Sequence, residues 1–311
     1  MSMLRRHVFG LFTACVALAV GVALGAGPLQ GDATAGDTGG HGAAALHDEV
    51  AALKAEQTFS TSVLGASGST LLHSALSGAS VTLVVLPGVP HAAVKGLRDA
   101  VGAAGGQVDV TALVSPTLVD PAQKTYTASV ASTSVQGLRD LRGVPRDQPY
   151  AQIAALVTRA YVGRGTDLVL DDEAVKIDSE LRGAKLVTVE GALHRRSSLA
   201  VVLASGSHGT DPLTSASHVI EAQLVSSLAA GSDAVLVAAP STGSDPGGLL
   251  AHLAGEKSLR HARMSTLNQL GTPAAQIGAV YALAAAAHGR TGAFGVEGTS
   301  VKLPPGLTAG D

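Results

Sequence analysis

The chain has 311 residues, 46% of them hydrophobic and only 14% charged, with a net charge of -3. That balance offers no basic surface for nucleic acid. One cysteine, Cys15, leaves the remainder without disulfides or thiolate metal sites, and with no Trp, four Tyr and four Phe the chain lacks the aromatic girdles of a transmembrane β-barrel.

Residues 1–7 carry Arg5 and Arg6 and no acid, and residues 8–27 carry no charge at all. Such a run is about as long as a helix that crosses a ~30 Å hydrocarbon core. Basic residues before it, and Asp32 and Asp37 after it, place the N-terminus in the cytoplasm and the main domain outside. The rival reading is a secretory signal cleaved near Ala23-Leu24-Gly25 or Ala26-Gly27, which would release the domain into the envelope. The length of the run favours a retained single-pass anchor in the cell membrane. Lipidation at Cys15 is disfavoured, because the apolar run continues well past it. Gly21 and Gly25 form a GxxxG face on which two anchors could pair.

Residues 28–45 read as a flexible spacer rich in Gly, Ala, Asp and Thr. The segment 46–77 opens with Leu46, Val50 and Leu53 on a/d spacing, among Glu49, Lys54 and Glu56. It predicts a short coiled-coil-like helix, a route to a homo-oligomer or a protein partner. The other reading is a helix packed on its own domain.

From residue 78 to residue 311 the pattern predicts an extracytoplasmic α/β domain. Its expected architecture is a mainly parallel Rossmann-like sheet with flanking helices, following the anchor and the coiled-coil-like helix. Strand runs at 81–86 and 108–114 bracket a helix at 92–104, a βαβ unit that implies parallel strands and a right-handed crossover. Helices are expected at 132–142, 150–161 and 171–182, and a strand at 185–189. A second unit repeats the layout: strand 199–204, helix 213–230, strand 234–239. A strand is expected at 260–264 and an apolar core helix at 273–288, with Asn268 and Thr272 as cap candidates.

Catalytic signatures are missing: there is no GxSxG, HExxH, CxxC, Walker loop or complete GxGxxG. The chain is therefore read as a non-enzyme. The candidate ligand site is positional, since open α/β sheets bind ligands beyond the carboxyl ends of their strands. Three loops, at 87–91, 205–211 and 240–245, offer His91, Ser205, Ser207, His208 and Asp211. The competing structural reading is that Asp211-Pro212 and Asp245-Pro246 simply start helices.

Three stretches carry a family resemblance: LRRHVFGLFTACVALAVGVALGAGPLQ at the start, ASVTLVVLPG, and RMSTLNQLGTPAAQIGAVYALAAAAHGRTGAFG near the end. Together with the adjacent helical segment they resemble the actinobacterial copper transporter family over nearly the full length. The family commonly has an acid where this chain has Asn268, so no role of that acid carries over. The resemblance implies an envelope protein of copper efflux and homeostasis, in a family described as a channel of the mycobacterial outer membrane. A related branch is a single-pass partner in a cell-division complex, whose external parts bind other proteins.

The residues themselves give copper few ligands. Cu(I) prefers Cys and Met, and Cu(II) takes imidazole and carboxylate. Met1 and Met3 precede the anchor and Met264 is alone. His41 and His47 flank the spacer and are the candidates for weak Cu(II) binding. His252 and His261 lack the i, i+4 spacing that would align them on one helix face. The residues point to no particular cofactor, and copper is the candidate transported ion. Two functions remain open: copper transport, which a single span supports only through oligomers or partners, and an anchored scaffold that recruits proteins in cell division or wall regulation.

Overall fold

The computed structural model describes residues 71–135, 147–297 and 300–307, with single positions at 57, 64, 68 and 144. The expected anchor and spacer, with Leu46, Val50, Leu53, His41 and His47, lie outside the described residues. In chain order the elements are β1 (Ser80–Val85), α1 (His91–Ala103), β2 (Gln107–Val114), α2 (Pro116–Val119), α3 (Lys124–Ser134), α4 (Pro149–Tyr161) and α5 (Asp172–Gly183). Then follow β3 (Val187–Glu190), β4 (Leu199–Leu203), α6 (Pro212–Gly231), β5 (Ala234–Ala239), α7 (Leu249–Gly255), β6 (Met264–Asn268), α8 (Pro273–Ala287), β7 (Ala293–Glu297) and β8 (Ser300–Lys302).

They form one eight-stranded sheet in the order β3-β2-β1-β4-β5-β6-β7-β8. The six strands from β2 to β7 run parallel, and only the two edges, β3 and β8, are antiparallel. The expected α/β class and mainly parallel sheet are therefore present. Every residue of β1, β4 and β5 is buried, because helices cover both faces of the sheet there. Alternation along each strand divides the core. Val84, Ala200, Val202, Val235 and Val237 point to the face packed by α4, α5, α6 and α7. Leu83, Val85, Val201, Leu203 and Leu236 point to the face packed by α1 and α8. Both polar side chains of β1 are partnered: Ser80 Oγ accepts the Ser198 N–H at 3.1 Å, and Thr82 donates its hydroxyl to the Tyr161 carbonyl at the end of α4, at 3.0 Å, so their burial leaves no unmet hydrogen bond.

The crossovers position the open surfaces. The β1–α1–β2 unit moves one way along the sheet over the α8 face, while β4–α6–β5 and β5–α7–β6 move the other way over the opposite face. These three share one hand. The last unit, β6–α8–β7, moves like the second pair but carries its helix on the α1 face, so it has the opposite hand. Among the described residues no crossover helix therefore covers the second face of β6 and β7, and on β6 Met264 and Thr266 stay half-buried there.

Positions 57, 64, 68, 71 and 72 are helical. Of these, Leu64, Leu71 and Leu72 pack into the α8-side core, and an added Cβ at Gly68 would meet Ile277 at 3.9 Å. Tyr281 of α8 donates to the Leu71 carbonyl at 2.6 Å. This end of the 46–77 segment is bound to its own domain.

Several expectations need correcting. The strand expected at 260–264 lies at Met264–Asn268, because residues 257–259 form a short 3-10 turn before it. The helix expected from 132 instead starts at Lys124 and ends at Ser134; residues 136–143 lie outside the described residues. Thr272, not Asn268, caps α8, accepting the Ala275 N–H at 3.1 Å, while Asn268 belongs to β6. Asp245-Pro246 starts no helix: a turn through Gly247 (φ 82°) intervenes, and α7 begins at Leu249 after Gly248.

Candidate functional site

Chain order reverses at β1, which has β2 on one side and β4 on the other. Beyond its carboxyl end the loops 87–90 and 205–211 meet. A Cβ added to Gly88, which sits at φ 85°, would lie 3.3 Å from the Ser205 Cβ. The candidate residues are thus brought to one end of the sheet, with His91 opening α1 and Ser207, His208 and Asp211 exposed.

Most of their polar atoms are engaged locally. Ser205 Oγ accepts the Ser207 N–H at 3.3 Å, and His208 Nδ1 donates to the Gly206 carbonyl at 3.0 Å. That carbonyl also accepts the Thr242 hydroxyl at 2.9 Å, and Gly206 lies so close to Thr242 that a Cβ would collide with it. Residue 208 bridges to 248, and the Gly209 N–H donates to Gly247 O at 3.3 Å. Asp211 Oδ1 accepts the N–H groups of Thr214 (3.0 Å) and Leu213 (3.1 Å). These bonds, the Thr214 N–H first, hold its carboxyl below the ordinary aspartate range. Asp211 is the N-cap of α6, and Pro212 takes the first helical position. Loop 205–211 is therefore stitched to 242–248, and it presents to solvent the side chains of Ser207, His208, Thr210 and Asp211.

A second cluster escaped the sequence reading. His218 and Glu221 sit three residues apart on α6, with Nε2 and Oε2 3.8 Å apart and side chains only 5% and 13% exposed. His252 on α7 faces them, and its own Nε2 is 3.7 Å from Glu256. Burial alone pushes the Glu221 carboxyl up to about 7. Burial, and then the neighbouring His252, push His218 below the ordinary imidazole range, against opposing contributions from the Gly247 backbone and Asp211. The signal in the sequence was the spacing His-Val-Ile-Glu, which puts both side chains on one helix face. Among the described residues, no three His, Cys, Asp or Glu side chains are placed to hold a metal ion.

At the amino end of β2 a hollow of about 330 Å³ is charged. Its charges are spent on one another and on neighbours: Arg98 donates to Glu190 at 2.8 Å and to Thr111 at 2.9 Å, and Asp109 accepts from Arg195 at 2.9 Å.

Fold and site together define a doubly wound α/β domain whose switch-point loop 205–211 is tied by hydrogen bonds to 242–248 and which gathers no metal-ligand triad among the described residues. The chain belongs to the family of copper transport outer membrane proteins, MctB, whose model matches residues 1–305. No curated protein matches the chain. The resemblance noted from the sequence is thereby shown, and with it a family of copper transport. Among the described residues, no helix is long and apolar enough to cross a membrane.

Proposed function

We propose that this chain is a single-pass, membrane-anchored envelope protein of copper efflux and homeostasis, with its N-terminus in the cytoplasm and the α/β domain outside. The observation that carries the reading is the family match, which runs through the apolar N-terminal segment and the folded domain as one unit. Copper is cargo here, not a resident cofactor. The domain contributes through contacts with proteins, as homo-oligomer or partner, and performs no catalysis. The ligand chemistry supports this: no cysteine lies beyond residue 15, Met264 is the only methionine beyond residue 3, and soft ligands are what Cu(I) prefers.

The second reading is an envelope scaffold that recruits partners in cell division or wall regulation. It is favoured by the sheet, which is open and clothed by helices on its central faces. One deletion strain separates the two, scored together for growth in copper and for cell shape. Copper sensitivity with normal shape supports the first reading. Misshapen cells with normal copper tolerance support the second. Topology is tested by adding protease to spheroplasts: a domain digested from outside, on a full-length protein that fractionates with membranes, fits the anchor. A soluble product starting near residue 28 instead means signal cleavage.

A further inference from the structure

The opposite hand of the last crossover leaves a cleft of about 660 Å³ on the uncovered face of β6, between α7 and the β7–β8 hairpin. That volume lies in the range of small-ligand pockets. The cleft reaches the carboxyl ends of β5 and β6, where open parallel sheets place their ligands. It is distinct from the loop 205–211 at the switch point.

Its far wall is fixed. Asn268, at the end of β6, donates to Ser244 Oγ (3.0 Å) and to Val296 O (2.7 Å), and its Oδ1 accepts the Val296 N–H at 2.8 Å. One amide thus ties the turn after β5 to the hairpin. Gly295, at φ 117°, lets the hairpin lie against it, since a Cβ there would collide with Asn268 Oδ1. The next residue, Gln269, is held at φ 119°, a conformation costly for a side chain with a Cβ, while its N–H donates to Ala239 O at 2.9 Å. Strain of this kind, held in place by bonds on either side, sets Gln269 on the cleft lining.

The available chemistry is mixed. Ser241, Asp245, Thr266, Gln269, Glu297 and Lys302 line the cleft, and none of their side chains makes a hydrogen bond or ion pair within the described domain. An anion would face two carboxylates against one ammonium. A simple amine would face Lys302 and leave it unpaired. A hydrocarbon would bond with none of the six, and would take the half-buried Thr266 and Gln269 out of water at a cost. A hydroxyl both donates and accepts, so vicinal hydroxyls suit carboxylate, amide, hydroxyl and ammonium alike, and the Met264 side chain offers apolar contact to the C–H face of a ring. We propose that this cleft binds a neutral polyhydroxylated ligand of the sugar class, which goes beyond the copper reading and does not depend on it.

The test is equilibrium dialysis of the full chain in micelles against labelled maltose and labelled N,N′-diacetylchitobiose, with inorganic phosphate and hexylamine as comparison probes. At least one disaccharide is retained, and Asp245→Asn combined with Gln269→Ala weakens it by about tenfold or more, the loss expected for a hydrogen bond to a charged group. The variant's circular dichroism stays unchanged. Retention of neither disaccharide overturns the proposal. So does equal retention by the variant, which would put the site elsewhere, or preferential retention of phosphate or hexylamine, which would refute the ligand class.

Discussion

Glu221→Gln isolates the cost of one buried carboxylate. The residue sits on α6 beside His218, and burial raises its pKa from 4.5 to about 7. At about 1.4 kcal/mol per pH unit, ionising it in place costs the folded state about 3 kcal/mol. The folded form holds the proton more tightly than the unfolded chain. The cost is therefore absent below pH 4.5, grows between 4.5 and 7, and is complete above 7. His218 acts in the opposite direction. Its folded pKa is depressed below 6.5, so the stability it contributes is present above 6.5 and is lost as pH falls through the folded value. Glutamine keeps the shape of the protonated acid and cannot ionise. In urea titrations of the full chain in micelles, followed by far-UV circular dichroism, the variant should match the parent near about pH 4. It should exceed the parent by about 3 kcal/mol near about pH 8. Below pH 6.5 its stability should fall with acid, first through His218 and, further down, through the lowered carboxyls of Asp171 and Asp211. A difference that does not change with pH, or a variant less stable at the alkaline end, would show that Glu221 carries no ionisation cost in the fold.

Three further outcomes follow from the same geometry. Tyr161 is fully buried and donates to Asp178 at 2.8 Å, so Tyr161→Phe should cost about 1–3 kcal/mol in the same titration, having removed a hydrogen bond to a charged group; no loss would mean that Arg182 alone satisfies Asp178. Asp211→Ala should lower the melting temperature while Asp211→Asn keeps it, because asparagine caps a helix equally well; equal losses would point to a role for the charge itself. Cu(I) titrated into the full chain against a competing chelator should not be retained by the domain, and any Cu(II) binding should be weak and fade as His protonates below about pH 6. Stoichiometric Cu(I) retention would show that the ligand set had been misjudged, and loss of Cu(II) in His41→Ala/His47→Ala would place the weak site in the spacer.

The sheet was legible from its β3 edge through β5, and the side formed by β6, β7 and β8 was not, for a physical reason. β1, β4 and β5 are buried on both faces and therefore read as unbroken Val, Leu and Ala. β6 has one covered face and one open face, so it alternates as Met-Ser-Thr-Leu-Asn and does not stand out. β7 and β8 are short and exposed at the edge, and their signal is little more than Phe294 and two valines. Proline after an acid predicted the start of α6 correctly and failed at Asp245-Pro246, where Gly247 turns the chain before α7 begins. The loop 205–211 was found by position, but its bonds to Thr242 and Gly247 depend on β5 lying next to β4, which no local pattern shows. The His218–Glu221 pair was missed because a polar pair on a helix reads as a solvated face until the packing of α6 against α7 is known.

The proposed role requires that copper leave the cell with this chain's help. Cell-associated copper should be measured in a deletion strain grown with added copper, with and without the full chain restored. Copper should rise several-fold in the deletion strain and return to the parental level when the chain is supplied. Copper at the parental level without the chain would contradict that role.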